Sequence, residues 1–492
     1  MMCLKTNTIL LITLLLPTGL FIIPFNAFAQ LSPPEMSFET YGIVSSSGTT
    51  PFWLQSNRHG MFASDGSHVM TRFQVHGSER FGGGDSDRFT FHYGADFITR
   101  PGVQSTATFN QGFLRLDAYG LYLQAGRFHN TSPIHDEELG MGSLGVSGNA
   151  PPIPQIRVGL ADWTSIPFTS GFVQIRGHLA HGWMENGRFA SDVLYHEKVG
   201  HAKIGGNFWV NVYGGLAQYA FWGGTMANGT DIPNDLSDFG RVFFALKGGE
   251  NAPIGMQNYA YGNHRGGWNF GFFLEFNELD INVYRQFPLE TRDNLKLKSY
   301  MDALTGISID FGADLNIPDI SFVYEYLYTK YQDGHRRPND NPNSSVEIDP
   351  YRGNENYYNH HIYRTGWVYN NRTIGNPLFI PSSDPRIGVF NNRIVGHHLG
   401  LKFRIAGNIL LTTRGTFSRN YGKRWDNRVP EDPEKTSLFN PSIDQWSLFA
   451  GMQAPFTWNN QAFTLLGEIG VDNGALVGNQ IGMTIGLRWS PN

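Results

Sequence analysis

The sequence predicts an all-β protein, a transmembrane antiparallel β-barrel of about 18 strands with long extracellular loops and a minor helical element. Three observations predict it. Polar and apolar residues alternate through many separate segments, the composition is rich in glycine and aromatics but poor in charge, and an apolar export leader precedes everything else.

Composition sets the outer bounds. Of 492 residues, 58 are glycine, 14% are aromatic and 16% are charged. An ordinary soluble domain carries about 25% charged residues and about 7% glycine. The formal net charge of −5 gives no general attraction to nucleic acid. A hydrophobic content of 40% argues against disorder. A disulfide framework is excluded, because Cys3 is the single cysteine.

The leader comes first along the chain. Lys5 supplies a short positive region, Ile9 to Phe25 an apolar one, and Ala27-Phe28-Ala29 a small-x-small pattern before Gln30. Residues 1–29 are therefore expected to be a cleaved signal peptide, cut between Ala29 and Gln30, with residues 30–492 forming a single barrel domain. An anchoring helix fits less well. Pro17, Gly19 and Pro24 interrupt a stretch of about 17 residues, against the roughly 20 that a span prefers. Cys3 lies too early for lipoprotein cleavage, and a processed chain without cysteine suits bacterial export better than eukaryotic secretion. No later segment is apolar enough for a second helical span.

The body of the chain alternates with a period of two. Arg88 to Phe97, Val173 to Leu179, His398 to Ile405 and Ile481 to Trp489 are the clearest cases. In a strand this spacing puts apolar side chains on one face and Arg88, His92, Arg176, His178, Lys402 and Arg404 on the other. Comparable segments begin near Val69, Phe113, Gly120, Trp268, Leu279, Thr305, Ile320, Ile362, Asn408, Ser447 and Ala462, giving roughly 16 to 18 in all. A soluble β-sandwich or solenoid would alternate in the same way. Length arithmetic favours the barrel, since 18 strands of about 10 spanning residues leave connections averaging about 16 residues, short on one side and long on the other. Long candidates are Gly126–Gln155, Gly223–Gly267, Gln332–His361, Asn371–Asn392 and Tyr421–Ser442, all rich in turn residues. Phe52-Trp53, Phe221-Trp222 and Tyr324-Tyr326-Tyr328 read as interfacial aromatics near strand ends.

One stretch follows a different period. Leu236, Phe239, Val242, Phe243 and Leu246 recur at helical spacing, with Asp235 or Ser237 placed as a cap. This helix is expected to enter the lumen or cover a mouth.

Catalytic motifs are weak throughout. Gly140 to Gly145 spells G-x-G-x-x-G, but Pro151, Pro152 and Pro154 forbid the helix a dinucleotide site needs. His196-Glu197-Lys198-Val199-Gly200-His201 places its second histidine five residues on, off the helix face a zinc protease uses, and is read as a solvated turn before a strand at Ile204–Tyr213. His135-Asp136-Glu137-Glu138 and the pairs His360-His361 and His397-His398 lack spaced partner sets, and adjacent histidines in a strand face opposite ways. Paired carboxylates for glycoside cleavage meet in space rather than in sequence, so that class stays open. The expectation is a non-enzymatic protein with no cofactor and no metal.

The connection between Gln332 and Asn392 is more informative. It gathers tyrosines, arginines, histidines and asparagines, and flat rings stack on sugars while Arg and Asn bind hydroxyls and carboxylates. A self-packed surface loop would have the same composition. The candidates for polysaccharide contact are Arg336, Arg337, Tyr357, Tyr358, His360, Trp367 and Arg372.

Several stretches together resemble the capsule-assembly Wzi family of Gram-negative outer-membrane proteins. They are Pro51 to Asn57, Leu139 to Gly159 with its Ser147-Gly-Asn-Ala-Pro-Pro-Ile-Pro154 core, Arg285 to Glu290 running on to Asp302–Gly306, Gly366-Trp367 leading to Gly375–Leu378, and Asn391–Arg393 followed by His397–Gly400. The resemblance implies an 18-stranded outer-membrane barrel, a periplasmic helical piece, loops that close the mouth, and a lectin-like role that holds capsular or exopolysaccharide on the surface. Partners would be that polysaccharide and outer-membrane lipid, and no nucleic acid. Two departures stand out. The last aromatic, Trp489, lies three residues before the end, and no helical bundle is visible between Gln30 and Phe52, which moves the expected plug to Asp235–Lys247. A porin-like channel for a solute or polysaccharide is the alternative function.

Overall fold

The computed structural model describes residues 33–81, 89–103, 107–130, 132, 134–290, 297, 300–312, 320–332, 355–405, 408–424 and 438–491. The expected signal peptide and its Ala29–Gln30 junction lie outside the described residues, as do Arg88, Arg336 and Arg337.

The unit Pro34–Asn492 is built on 18 strand positions. The first six are β1 Glu35–Ser45, β2 His68–Phe81, β3 Phe89–Thr99, β4 Ala107–Ala118, β5 Leu121–Arg127 and β6 Gln155–Leu160, the last continued by Thr164–Ser165. Next come β7 Val173–Trp183, β8 Leu194–Ile204, β9 Val210–Trp222, β10 Asn263–Phe276, β11 Leu279–Leu289 and β12 Ala303–Phe311. The set ends with β13 Ile320–Tyr328, β14 Arg393–Ile405, β15 Ile409–Gly422, β16 Ile443–Trp458, β17 Gln461–Gly474 and β18 Gln480–Ser490. Each strand pairs antiparallel with the next, and β1 closes the ring on β18 from Phe38↔Trp489 to Ser45↔Gly482. Among the described residues, closure leaves the barrel sheet without a free edge strand.

The two ends of the barrel differ. One end carries tight turns, such as Asn459-Asn460 with φ of 49° and 60° and Tyr119-Gly120 with 52° and 80°, the left-handed geometry two-residue hairpins require. The chain enters β1 and leaves β18 at this end. The other end carries the long connections, whose described residues include 46–67, 134–154, 223–262, 329–332 and 355–392.

Alternation sorts the wall. On β18, Ile481, Met483, Ile485 and Leu487 point outward and are exposed, while Gln480 and Thr484 point inward and are buried. Phe168, Phe172, Phe208, Trp209, Phe276, Phe456, Trp458 and Trp489 form an exposed aromatic belt at the short-turn end. An apolar band of this extent is built to face lipid. Inside, charges are paired. Arg72 holds Asp96 at 2.9 and 2.7 Å, Arg488 holds Glu39 at 2.6 Å, and Lys402 reaches Glu138 at 2.7 Å. His178 and His92 also face inward, onto Glu197 and Asp117.

Several sequence expectations need correction. The segment near Ile362 is not a barrel strand; it belongs to the single connection between β13 and β14. His196–His201 is not a turn but the middle of β8, and the turn falls at 205–209, inside the expected strand Ile204–Tyr213. Phe52-Trp53 forms the short helix α1, Phe52–Gln55, whose three apolar residues are buried. The expected helix exists as α2, Leu236–Phe243, yet it packs on the outer wall rather than in the lumen or over a mouth. A third helix, α3, covers Ile254–Asn258.

Candidate binding site at the mouth of the barrel

Three long connections fold back into the barrel and bond to its inward-facing side chains. In the first, the Phe52 N–H donates to Asp472 at 2.8 Å, the Trp53 indole donates to Thr416 at 3.0 Å, and the Arg414 guanidinium lies 4.6 Å from the Trp53 ring. In the second, the Met141 N–H donates to Glu325 at 2.5 Å, the Leu144 N–H donates to Gln286 at 2.6 Å, and Asn282 donates to the Ile134 carbonyl at 3.0 Å. Buried backbone of this irregular kind needs such partners, because an unpaired buried N–H or C=O is costly. The third, 355–392, caps the second. The Trp367 indole donates to the Gly145 carbonyl, Asn376 to Gly142 and the Tyr358 hydroxyl to Leu144, at 2.8, 2.6 and 2.6 Å.

A cavity of about 510 Å³ remains between these segments at the long-loop end. Its volume falls in the range of small-ligand sites. Arg100, Arg127 and Arg372 line it with Asn110, Asn149, Asn370 and Asn371, and Asp65 is the one carboxylate among its lining residues. Arg372 donates to the Gln55 carbonyl at 3.1 Å, the Gln55 side chain at 3.2 Å and the Phe62 carbonyl at 2.7 Å. Burial, and after it the charge of Arg100, pulls its guanidinium down to about 10, so it stays charged at neutral pH. Arg100 clamps the same segment through the Gly60 and Met61 carbonyls at 2.9 and 2.5 Å. The result is a positive, amide-rich pocket framed by Phe52 and Phe62.

The sequence-derived candidates divide sharply. Arg372 lines the pocket. Tyr357, Tyr358 and Trp367 are buried, at 1%, 2% and 0% exposure, so their ring faces meet protein instead of solvent. Tyr357 donates to Asp302 at 2.8 Å, and Tyr358 stacks on Phe379 with centroids 4.2 Å apart. His360 accepts from the Ile362 and Tyr363 N–H groups at 3.2 and 3.3 Å and is kept neutral by burial, then by His361. Arg336 and Arg337 lie outside the described residues. Sequence reasoning missed Arg100, Arg127 and Asn110, which sit at or near the ends of alternating strands and carry no motif.

The sequence profile of the family described as capsule assembly protein Wzi matches residues 48–382. No curated protein matches the chain. Among solved structures, the chain is similar to Wzi of Escherichia coli, described as an outer membrane protein involved in group 1 capsule assembly and a carbohydrate-binding β-barrel. That similarity has a TM-score of 0.54 at 14% identity, over 92% of this chain and 83% of that one. Pseudomonas aeruginosa OccK5 (OpdH) gives a TM-score of 0.46 at 9% identity over 94% of this chain and 98% of that chain. OccK10 (OpdN) of the same organism gives 0.44 at 7%, over 92% and 98%.

Proposed function

The chain belongs to the capsule assembly protein Wzi family, and from that premise we propose that it binds capsular or exopolysaccharide at the outer surface of the outer membrane and helps attach it to the cell. The short-turn end, with both barrel termini, faces the periplasm, and the long-loop end faces outward. The observation that carries the reading is the mouth pocket, where Arg100, Arg127 and Arg372 stand among four asparagines. Asparagine amides match sugar hydroxyls, and guanidinium groups match carboxylates through paired donors. Three lining arginines against Asp65 favour a polymer with acidic sugars. A repeating polymer meets the pocket of many copies at once, so retention rests on avidity more than on one site. No bond is made or broken.

The test is the distribution of polysaccharide between cells and medium in a deletion strain, complemented by the wild-type gene or by Arg127→Ala. Deletion is expected to move intact polymer into the medium at constant total synthesis, with the wild type restoring retention and the variant restoring little. A fall in total polymer, or polymer that stays on the deleted cells, would overturn the proposal and favour export or solute passage.

A further inference from the structure

The outward face of β7 to β10 turns polar toward the long-loop end. His181 on β7, His196 and Lys198 on β8, Gln218 on β9 and His264 on β10 all point away from the lumen, since their neighbours Glu197, Tyr219 and Arg265 point into it. On a lipid-facing wall such residues are unfavourable. Here they are covered. The Phe239 ring of α2 lies against His181, His196 and Trp222 with centroids 6.1, 5.4 and 5.7 Å away. The Lys198 ammonium sits 4.4 Å from the Phe243 ring and donates to the Phe243 carbonyl at 2.6 Å. Gln218 reaches the Val242 carbonyl at 3.4 Å and pairs with His264 at 3.0 Å. The wall thus satisfies carbonyls at the C-terminal end of α2 and sets a cation there, while Asp235 and Asp238 close a capping box at its start.

The far side of this element is apolar and uncovered. Leu236, Phe244 and Ile254 are 83%, 69% and 79% exposed, and Leu246 is also exposed. The strands on whose outward face α2 packs also expose apolar side chains there, Leu179, Trp183, Phe270 and Phe272. We infer that the 236–254 part of segment 223–262 replaces the polar stretch of wall as the lipid-facing surface, with Leu236, Phe244, Leu246 and Ile254 seated in membrane lipid at the acyl–headgroup boundary of the outer leaflet. An amphipathic element lying in that plane buries its apolar side in lipid and leaves its polar side wet. The same segment touches the mouth: Tyr363 donates to the Gly223 carbonyl at 3.1 Å. Lipid seating therefore fixes one flank of the connection that caps the lumen. The inference needs the barrel to be in a membrane and is independent of what the mouth binds.

The experiment uses the full chain in a Cys3→Ser background, with Leu236→Cys, Phe244→Cys or Ile254→Cys labelled one at a time with bimane. The labelled barrels are reconstituted in phosphatidylcholine vesicles, with nitroxide at the fifth acyl carbon as lipid quencher and iodide as aqueous quencher. Ile485→Cys, outward on β18, and the exposed loop position Asn228→Cys give the two reference behaviours. The expected result is nitroxide quenching within about twofold of Ile485, with iodide quenching well below that of Asn228. Quenching that follows Asn228 would overturn the inference. So would labels shielded from both quenchers at high protein-to-lipid ratio and freed on dilution, which would put a second copy on this face.

Discussion

His59 and His129 lie face to face, ring centroids 3.5 Å apart and planes 6° from parallel, joining the connection after β1 to the one after β5. Burial pushes both imidazoles down, His59 well below its ordinary range and His129 to about 3, with neighbouring positive charge adding to the effect. Two stacked rings stay this close only while neutral. Because the folded pKa values lie below the unfolded value of about 6.5, the unfolded chain takes up protons first as pH falls. Stability from this stack is complete above about pH 6.5 and declines progressively toward pH 3. The thermal midpoint of detergent-folded protein is therefore expected to drop between pH 7 and pH 4, and to drop less steeply in His129→Asn. Equal slopes for the two proteins would show that the stack does not titrate as argued.

Trp367 joins two inserted connections and is fully buried. Its indole donates to the Gly145 carbonyl at 2.8 Å and its ring lies 4.5 Å from Phe221 on the inner wall. Trp367→Ala opens a large cavity and orphans that carbonyl, a loss of about 3–5 kcal/mol by the usual cost of deleting a buried tryptophan. The connections should then loosen, and single-channel conductance in planar bilayers should rise above that of the wild type. Trp367→Phe keeps most of the packing and should stay close to wild type. If W367A melts and conducts like the wild type, this residue does not hold the lumen closed.

Much of the barrel is legible in the sequence because one face meets lipid and the other a polar lumen. Ile481 to Trp489 alternates without a break for that reason, and it is a strand. The signal fails where a second layer intervenes. His196 and Lys198 face outward and Glu197 inward, so all three are polar and the period of two vanishes, although the segment is β8. The polar outward residues are tolerated because α2 covers them, which no local pattern reveals. The mouth misleads in the opposite way. Tyr357, Tyr358 and Trp367 have the composition of a sugar platform, but the same rings suit a self-packed plug, and in the structure all three are buried. Arg372 was recognisable by residue type alone; its pocket is assembled from residues as distant in sequence as Phe62 and Arg127.

Glu197 is the hub of the lumen wall on β8. Its carboxylate accepts from His178 at 2.6 Å, Asn130 and the Tyr195 hydroxyl at 3.0 Å, and Arg157 at 3.3 Å. Glu197→Gln keeps the shape but leaves Arg157 buried without its counter-charge. Breaking a buried pair in this way costs about 3–5 kcal/mol. Urea unfolding of the detergent-folded barrel should move to a lower midpoint with an unchanged slope. A midpoint within error of the wild type would mean that water or another acceptor compensates Arg157.

Arg127 and Arg372 line one pocket but do different work in it. Arg372 ties Gln55 and Phe62 together through three donated bonds, whereas Arg127 donates one long bond, to the Phe109 carbonyl at 3.4 Å. Arg372→Ala should therefore lower both melting temperature and polysaccharide affinity. Arg127→Ala should lower affinity alone, because its guanidinium is nearly unconstrained by the fold. A hydrogen bond to a charged group contributes about 1.5–3 kcal/mol, so affinity for an acidic polymer should fall by about tenfold or more. Surface plasmon resonance on immobilised polysaccharide would measure this, and the difference between wild type and R127A should shrink as salt is raised, since screening weakens an exposed charge pair. Loss of affinity in R127A for a neutral polymer as well, without salt dependence, would assign the residue to pocket shape instead of carboxylate recognition.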